Sequence, residues 1–183
     1  AMKGVIFTTV EEIVVDLFDA HTWDDLLESA GLDGAYTALG NYGEDELVSI
    51  VTEVAAATNQ GMDDVWRLVG RLALPKLASR IPTSMVDGHD ARTFLLSVNE
   101  IIHPEVRMIY PDAIPPVFTF TEGPDEELLV VYRSTRRLDA LAEGLMVGCG
   151  DLFKQPVEVT TADRTGLSAE EARFRVRVGL APQ

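Results

Sequence analysis

The apolar residues of this chain change their period once, and that change limits the fold more than any other feature. From residue 3 to about residue 103 they recur at helical spacing, and after Pro115-Pro116 they alternate as strands do. Residues 3–19 place Ile6, Val10, Ile13, Val14 and Leu17 on one stripe, with Glu11, Glu12 and Asp16 mostly opposite. A second helix opens at Thr22 with Asp25 and stops at Gly31. Helices over 45–58 and 62–79 follow, the latter kinked at Pro75, and another runs from about Asp90 to His103. It ends or bends there, because a residue before proline disfavours the α region. Val117–Thr121 and Glu127–Ser134 read as strands joined by Glu122-Gly123-Pro124-Asp125. A helix over about 137–147 and strands over 157–161 and 173–178 complete the set. Helices followed by a meandering antiparallel sheet, with one helix inserted in it, is an α+β order.

Charge narrows the partners. Residues 4–66 hold fourteen Asp and Glu and no Lys or Arg, within a chain of net charge −15. Such a field repels phosphate backbones and anionic lipid, so neither nucleic acid nor a membrane surface is an expected partner. A solvated face and a dock for a basic partner both fit the acidic stretch. The longest clean apolar run, Leu128–Tyr132, is far too short to span a bilayer. One cysteine, Cys149, excludes an internal disulfide and every Cys-x-x-Cys motif, and fits a reducing, cytoplasmic home.

Two features carry chemistry. His103 ends an apolar segment that includes Phe94, Leu95, Val98, Ile101 and Ile102, so its imidazole is expected to project inward. Alone, such a histidine is more often a hydrogen-bonded core residue than a ligand. His21 and His89 lie in polar surroundings, and the three histidines are too scattered for a zinc site. The second feature is Tyr132-x-Ser134-x-Arg136. On a strand these side chains point the same way, roughly 6.6 Å apart, and form a row of donors suited to carboxylates. Without an anionic ligand the row is an ordinary polar strand face. Together, an inward imidazole and a carboxylate-binding row suit haem, a flat apolar ligand whose iron takes an axial histidine.

The stretch from Ile101-Ile102-His103 through Pro115-Pro116 to Tyr132-x-Ser134-x-Arg136 resembles the haem-nitric oxide/oxygen-binding domain of bacterial gas sensors and soluble guanylate cyclase. Met2-Lys3-Gly4 and Trp66-Arg67-x-Val69-Gly70-Arg71 fit the same order. The resemblance implies one domain over 2–183, with a helical distal part (2–65), a mixed part (66–183), a four-stranded antiparallel sheet and non-covalent haem b between the parts. It makes His103 the iron ligand and gives the propionates to Tyr132, Ser134 and Arg136. Pro116, Ile6 and Leu145 press on the ring.

Departures from the family pattern bear on the gas. Oxygen-binding members carry a distal tyrosine where this chain has Leu141, and its two supporters are replaced by Val10 and Ala73. Iron-bound dioxygen carries partial negative charge and needs a donor, whereas nitric oxide and carbon monoxide need one far less. The resemblance therefore implies a nitric oxide sensor that also takes carbon monoxide, with Leu74 and Leu145 extending the apolar pocket. In this family nitric oxide weakens the bond from iron to histidine, which would free the helix bearing His103. No kinase, cyclase or phosphodiesterase segment is visible, so the chain is not expected to be an enzyme. By the same resemblance its output passes in trans to a histidine kinase or a cyclic-di-GMP enzyme. An oxygen-binding haem protein and a haem-free acidic interaction module are the competing readings.

Overall fold

Each helical stripe becomes a helix whose ends are set by local hydrogen bonding. The computed structural model describes residues 1–160 and 162–179. Helix α1 covers Gly4–Leu17 and is preceded by β1 (Met2–Lys3), which pairs antiparallel with β2 (Asn41–Tyr42). This two-stranded ribbon escapes a periodicity test because neither strand completes one alternation. Helix α2 (Ala20–Ala30) starts earlier than Thr22, because Asp19 caps it by accepting the Thr22 N–H at 2.7 Å. It stops at Gly31, whose φ of 71° suits glycine. Helices α3 (Glu44–Thr58) and α4 (Met62–Ala78) match expectation within a residue, with Pro75 inside α4.

The segment around His103 departs most from the sequence-based expectation. Helix α5 (Ala91–Ser97) widens into a π turn at Val98–Ile102, and helix α6 (His103–Ile109) follows without a break. His103 thus opens a helix. Pro104 sits in the first turn of α6, where a missing N–H costs nothing. The π turn places the residue before proline in the α region, with φ −64° and ψ −37°.

Strands β3 (Val117–Glu122), β4 (Leu128–Arg133), β5 (Val157–Val159) and β6 (Glu171–Val178) form one antiparallel sheet. Its order is β3-β4-β6-β5, so β6 inserts between β4 and β5 and the sheet is not a simple meander. The expected 157–161 strand is shorter, and its Thr161 lies outside the described residues. Helix α7 (Asp139–Phe153) extends six residues beyond the expected end. Its glycines read as breakers in sequence but serve close packing. A Cβ on Gly144 would sit 2.1 Å from the Arg67 carbonyl oxygen, and one on Gly148 2.6 Å from that of Arg71. Helices α4 and α7 therefore meet backbone to backbone.

Two cores result. One gathers Phe7, Trp23, Leu47, Ile50 and Trp66 from α1 to α4, and the other gathers Phe94, Leu128, Val130, Phe174 and Val176 around the sheet. Phe7 and Phe174 are wholly buried, and truncating either to alanine should cost about 3–5 kcal/mol. The expected boundary at 65/66 falls inside α4, which contributes Val65, Trp66, Val69 and Ala73 to the first core.

Candidate functional site

A large apolar cavity opens where the two cores meet. It offers about 290 Å³ to the centres of water-sized spheres, against the 10–15 Å³ or so that one water needs on that measure. Helices α1, α4, α5, α6 and α7, the π turn and strands β3 and β4 all contribute to its wall. Such a space lined by hydrocarbon is a site for a large apolar ligand.

His103 lines this cavity, and its imidazole forms no hydrogen bond among the described residues. Burial, helped by the nearby Arg107 charge, pushes its pKa down to about 4. The imidazole is therefore neutral at pH 7 and keeps a lone pair for a ligand. A bare ion would find no cage here, since among the described residues no group of three His, Cys, Asp or Glu side chains converges on a metal position. One imidazole suffices only when a macrocycle supplies the remaining donors, as haem does.

The donor row also reaches the cavity, by a route the strand reading did not foresee. Strand β4 ends at Arg133, so only Tyr132 is on it. Ser134 and Arg136 lie in the following turn, closed by the Arg137 N–H donating to the Ser134 carbonyl at 3.3 Å. All three still line the cavity. The Tyr132 hydroxyl accepts the Leu138 N–H at 3.1 Å, and Ser134 Oγ accepts the Arg136 N–H at 3.2 Å. Each hydroxyl thus accepts one backbone N–H, and the two stand close enough for Ser134 to act on the Tyr132 phenol. Burial holds the Tyr132 phenol above its ordinary pKa, so it stays a donor. The Arg136 guanidinium donates to Glu44 Oε2 at 3.0 Å and to the carbonyls of Ile114 and Ala1 at 2.7 and 2.5 Å. The charge at this end of the cavity is balanced by a carboxylate of α3.

Of the remaining expected residues, Ile6, Leu74, Pro116, Leu141 and Leu145 line the cavity. Val10 and Ala73 do not. Both are buried in the first core, at 2% and 5% exposure. On α4 the residues Leu74, Leu77 and Ala78 face the cavity at i, i+3 and i+4, and Ala73, at the border of that stripe, is packed into the first core. Val10 is one turn beyond Ile6, where α1 has already entered the core.

Sequence reasoning missed Val106, Tyr110 and Phe118, which line the cavity as well. Val106 stands on α6 three residues after His103, and Tyr110 follows the helix seven residues after it. Ending the helix at His103 hid that spacing. Cys149 borders the cavity too, but burial pushes its thiol up to about 12, which leaves it protonated and a poor nucleophile.

A model of the family described as haem-NO-binding matches residues 3–161. No curated protein matches the sequence. Among solved structures, an H-NOX protein from S. oneidensis in the Fe(II)NO state is similar at 31% identity and TM-score 0.87, over 98% of this chain and 100% of that one. The H-NOX domain from Shewanella oneidensis in the Fe(II)CO state is similar at 31% and 0.83, over 97% and 98%. An unliganded Fe(II) H-NOX protein from K. algicida is similar at 27% and 0.84, over 100% and 99%. With the family match spanning most of the sequence and an imidazole and a donor row meeting in one apolar cavity, the chain belongs to the haem-NO-binding (H-NOX) family.

Proposed function

We propose that this chain is a haem b sensor whose physiological signal is nitric oxide, with His103 as the iron ligand and Tyr132, Ser134 and Arg136 as donors to the propionates. Bound haem supplies a ferrous iron with one open position for a diatomic gas. The chain supplies everything else. A neutral imidazole, unpartnered among the described residues, stands ready at one point of the cavity. Two hydroxyls and a guanidinium stand at another. Pro116 and Leu145 line the same cavity, where they would bear on the ring.

The observation that carries the choice of gas is the wall built by α1, α4 and α7. Ile6, Leu74, Leu141 and Leu145 present only hydrocarbon to the cavity. Such a wall offers no hydrogen bond to the partial negative charge of bound dioxygen, and costs nitric oxide and carbon monoxide little. Val10 and Ala73 support the same end indirectly, since as core residues they bring no donor toward it.

The output is a change of arrangement passed to a separate protein, a histidine kinase or a cyclic-di-GMP enzyme, and the chain itself is no enzyme. Helix α6 supports this reading. None of its residues is fully buried, and Met108 is 77% exposed, so a shift of His103 reaches the surface through little packing. Among the described residues no helix is long and apolar enough to cross a membrane. The absorption spectrum of the reduced protein tests the proposal. It should be unchanged in air and should shift on adding nitric oxide or carbon monoxide, whereas a stable oxygen adduct would contradict the role given to Leu141.

A further inference from the structure

Strand β3 is an edge strand, and one residue on its open edge is claimed from outside the sheet. The Phe118 N–H donates to Asn99 Oδ1 at 3.1 Å, and Asn99 Nδ2 donates back to the Phe118 carbonyl. Both main-chain groups of Phe118 therefore point away from β4, as they do at a non-hydrogen-bonded pair, here Phe118 with Tyr132. The carboxamide of Asn99 completes the ladder as one residue of a missing strand would. Asn99 lies in the π turn, four residues before His103.

Phe118 is also the residue through which the parts of the site touch. Its ring centroid is 6.2 Å from that of His103 and 5.7 Å from that of Tyr132. Pro116 is two residues before it. Among the described residues, the side chain of Asn99 is the polar tie that joins the π turn and α6 to the sheet.

We propose that Asn99 is a positioning residue: its two-point clip to Phe118 makes the placement of the His103 imidazole and of the Pro116–Phe118 wall a single variable. Displacement of His103 then moves β3 as well as α6, and the strength of the clip sets how the imidazole is held. The inference rests on the reading of His103 as the iron ligand.

The test uses the full chain loaded with haem and reduced, in four forms: wild type, Asn99→Ala, Asn99→Asp and Arg92→Ala. Asn99→Asp keeps the acceptor for the Phe118 N–H and loses the donor. Arg92 ties α5 to the far end of the same hairpin, through the Glu126 carbonyl at 2.6 Å and Glu122 at 2.9 Å, so its variant reports loss of hairpin stability alone. The readouts are the iron–histidine stretching band and hydrogen exchange of the Phe118 amide. Both Asn99 variants should shift or broaden the band, and Asn99→Ala should speed Phe118 exchange several-fold; Arg92→Ala should leave the band in place. Failure of both Asn99 variants to retain haem while Arg92→Ala retains it supports the same role. An unmoved band in both Asn99 variants, or an equal shift in Arg92→Ala, overturns it. Wild-type chain that takes up no haem, or shows no iron–histidine band, overturns the underlying assignment of His103 and the role of Asn99 with it.

Discussion

The α4–α7 seam and the α5–π–α6 segment both border the cavity, and they are held in opposite ways. Along the seam, backbone meets backbone at Gly70, Gly144 and Gly148, and ion pairs lock the two helices together. Arg67 donates to Glu143 at 3.0 Å, and Arg71 grips both oxygens of Asp151 at 2.7 and 2.9 Å. The His103 segment has a widened turn in place of a regular one, an α6 with no fully buried residue, and the Asn99 clip. A sensor needs this inequality. Under the proposed function, the wall that selects the gas has to stay put, while the element that bears the iron ligand has to be cheap to move.

Four measurements sharpen or break that contrast, in order of expected effect. Native-state hydrogen exchange should give α7 amides opening free energies near that of global unfolding and α6 amides values lower by about 3 kcal/mol or more. Equal protection of the two helices would dissolve the contrast. Gly144→Ala forces a methyl group onto the Arg67 carbonyl, and should cost about 3 kcal/mol, or roughly 6–12 °C of melting temperature for a chain of this size. A double-mutant cycle on Arg67 and Glu143 should show a coupling of about 1–2 kcal/mol, because the Glu143 carboxylate is nearly buried, at 9% exposure. Met108→Ser should change stability by less than about 0.5 kcal/mol, since the side chain is mostly in solvent.

How much of this was legible in the sequence follows from which physical signals are local. The donor row could be read because alternation puts Tyr132, Ser134 and Arg136 on one line, and the turn that replaces the strand after Arg133 keeps them together. The helical half could be read because its stripes are long. The end of α7 could not, since Gly148 and Gly150 look like breakers until the facing carbonyls of Arg71 and Gln155 are in place. The π turn carries Asn99, which binds Phe118 nineteen residues away, and no period reports such a bond. The place of β6 between β4 and β5 is likewise a choice of partner, to which alternation is blind. Val10 and Ala73 show the same limit on a smaller scale. Family likeness put them at the gas pocket, and packing buries them in the first core beside it.

The site assignment makes its sharpest claim about a single atom pair, iron and the His103 imidazole. Replacing His103 with alanine removes the only protein ligand assigned to the iron and leaves the donor row and the apolar walls intact. The purified variant should lose its haem absorption, and recover it when the protein is expressed and purified with imidazole to fill the gap. Full retention of haem by His103→Ala without imidazole would contradict the account at its centre.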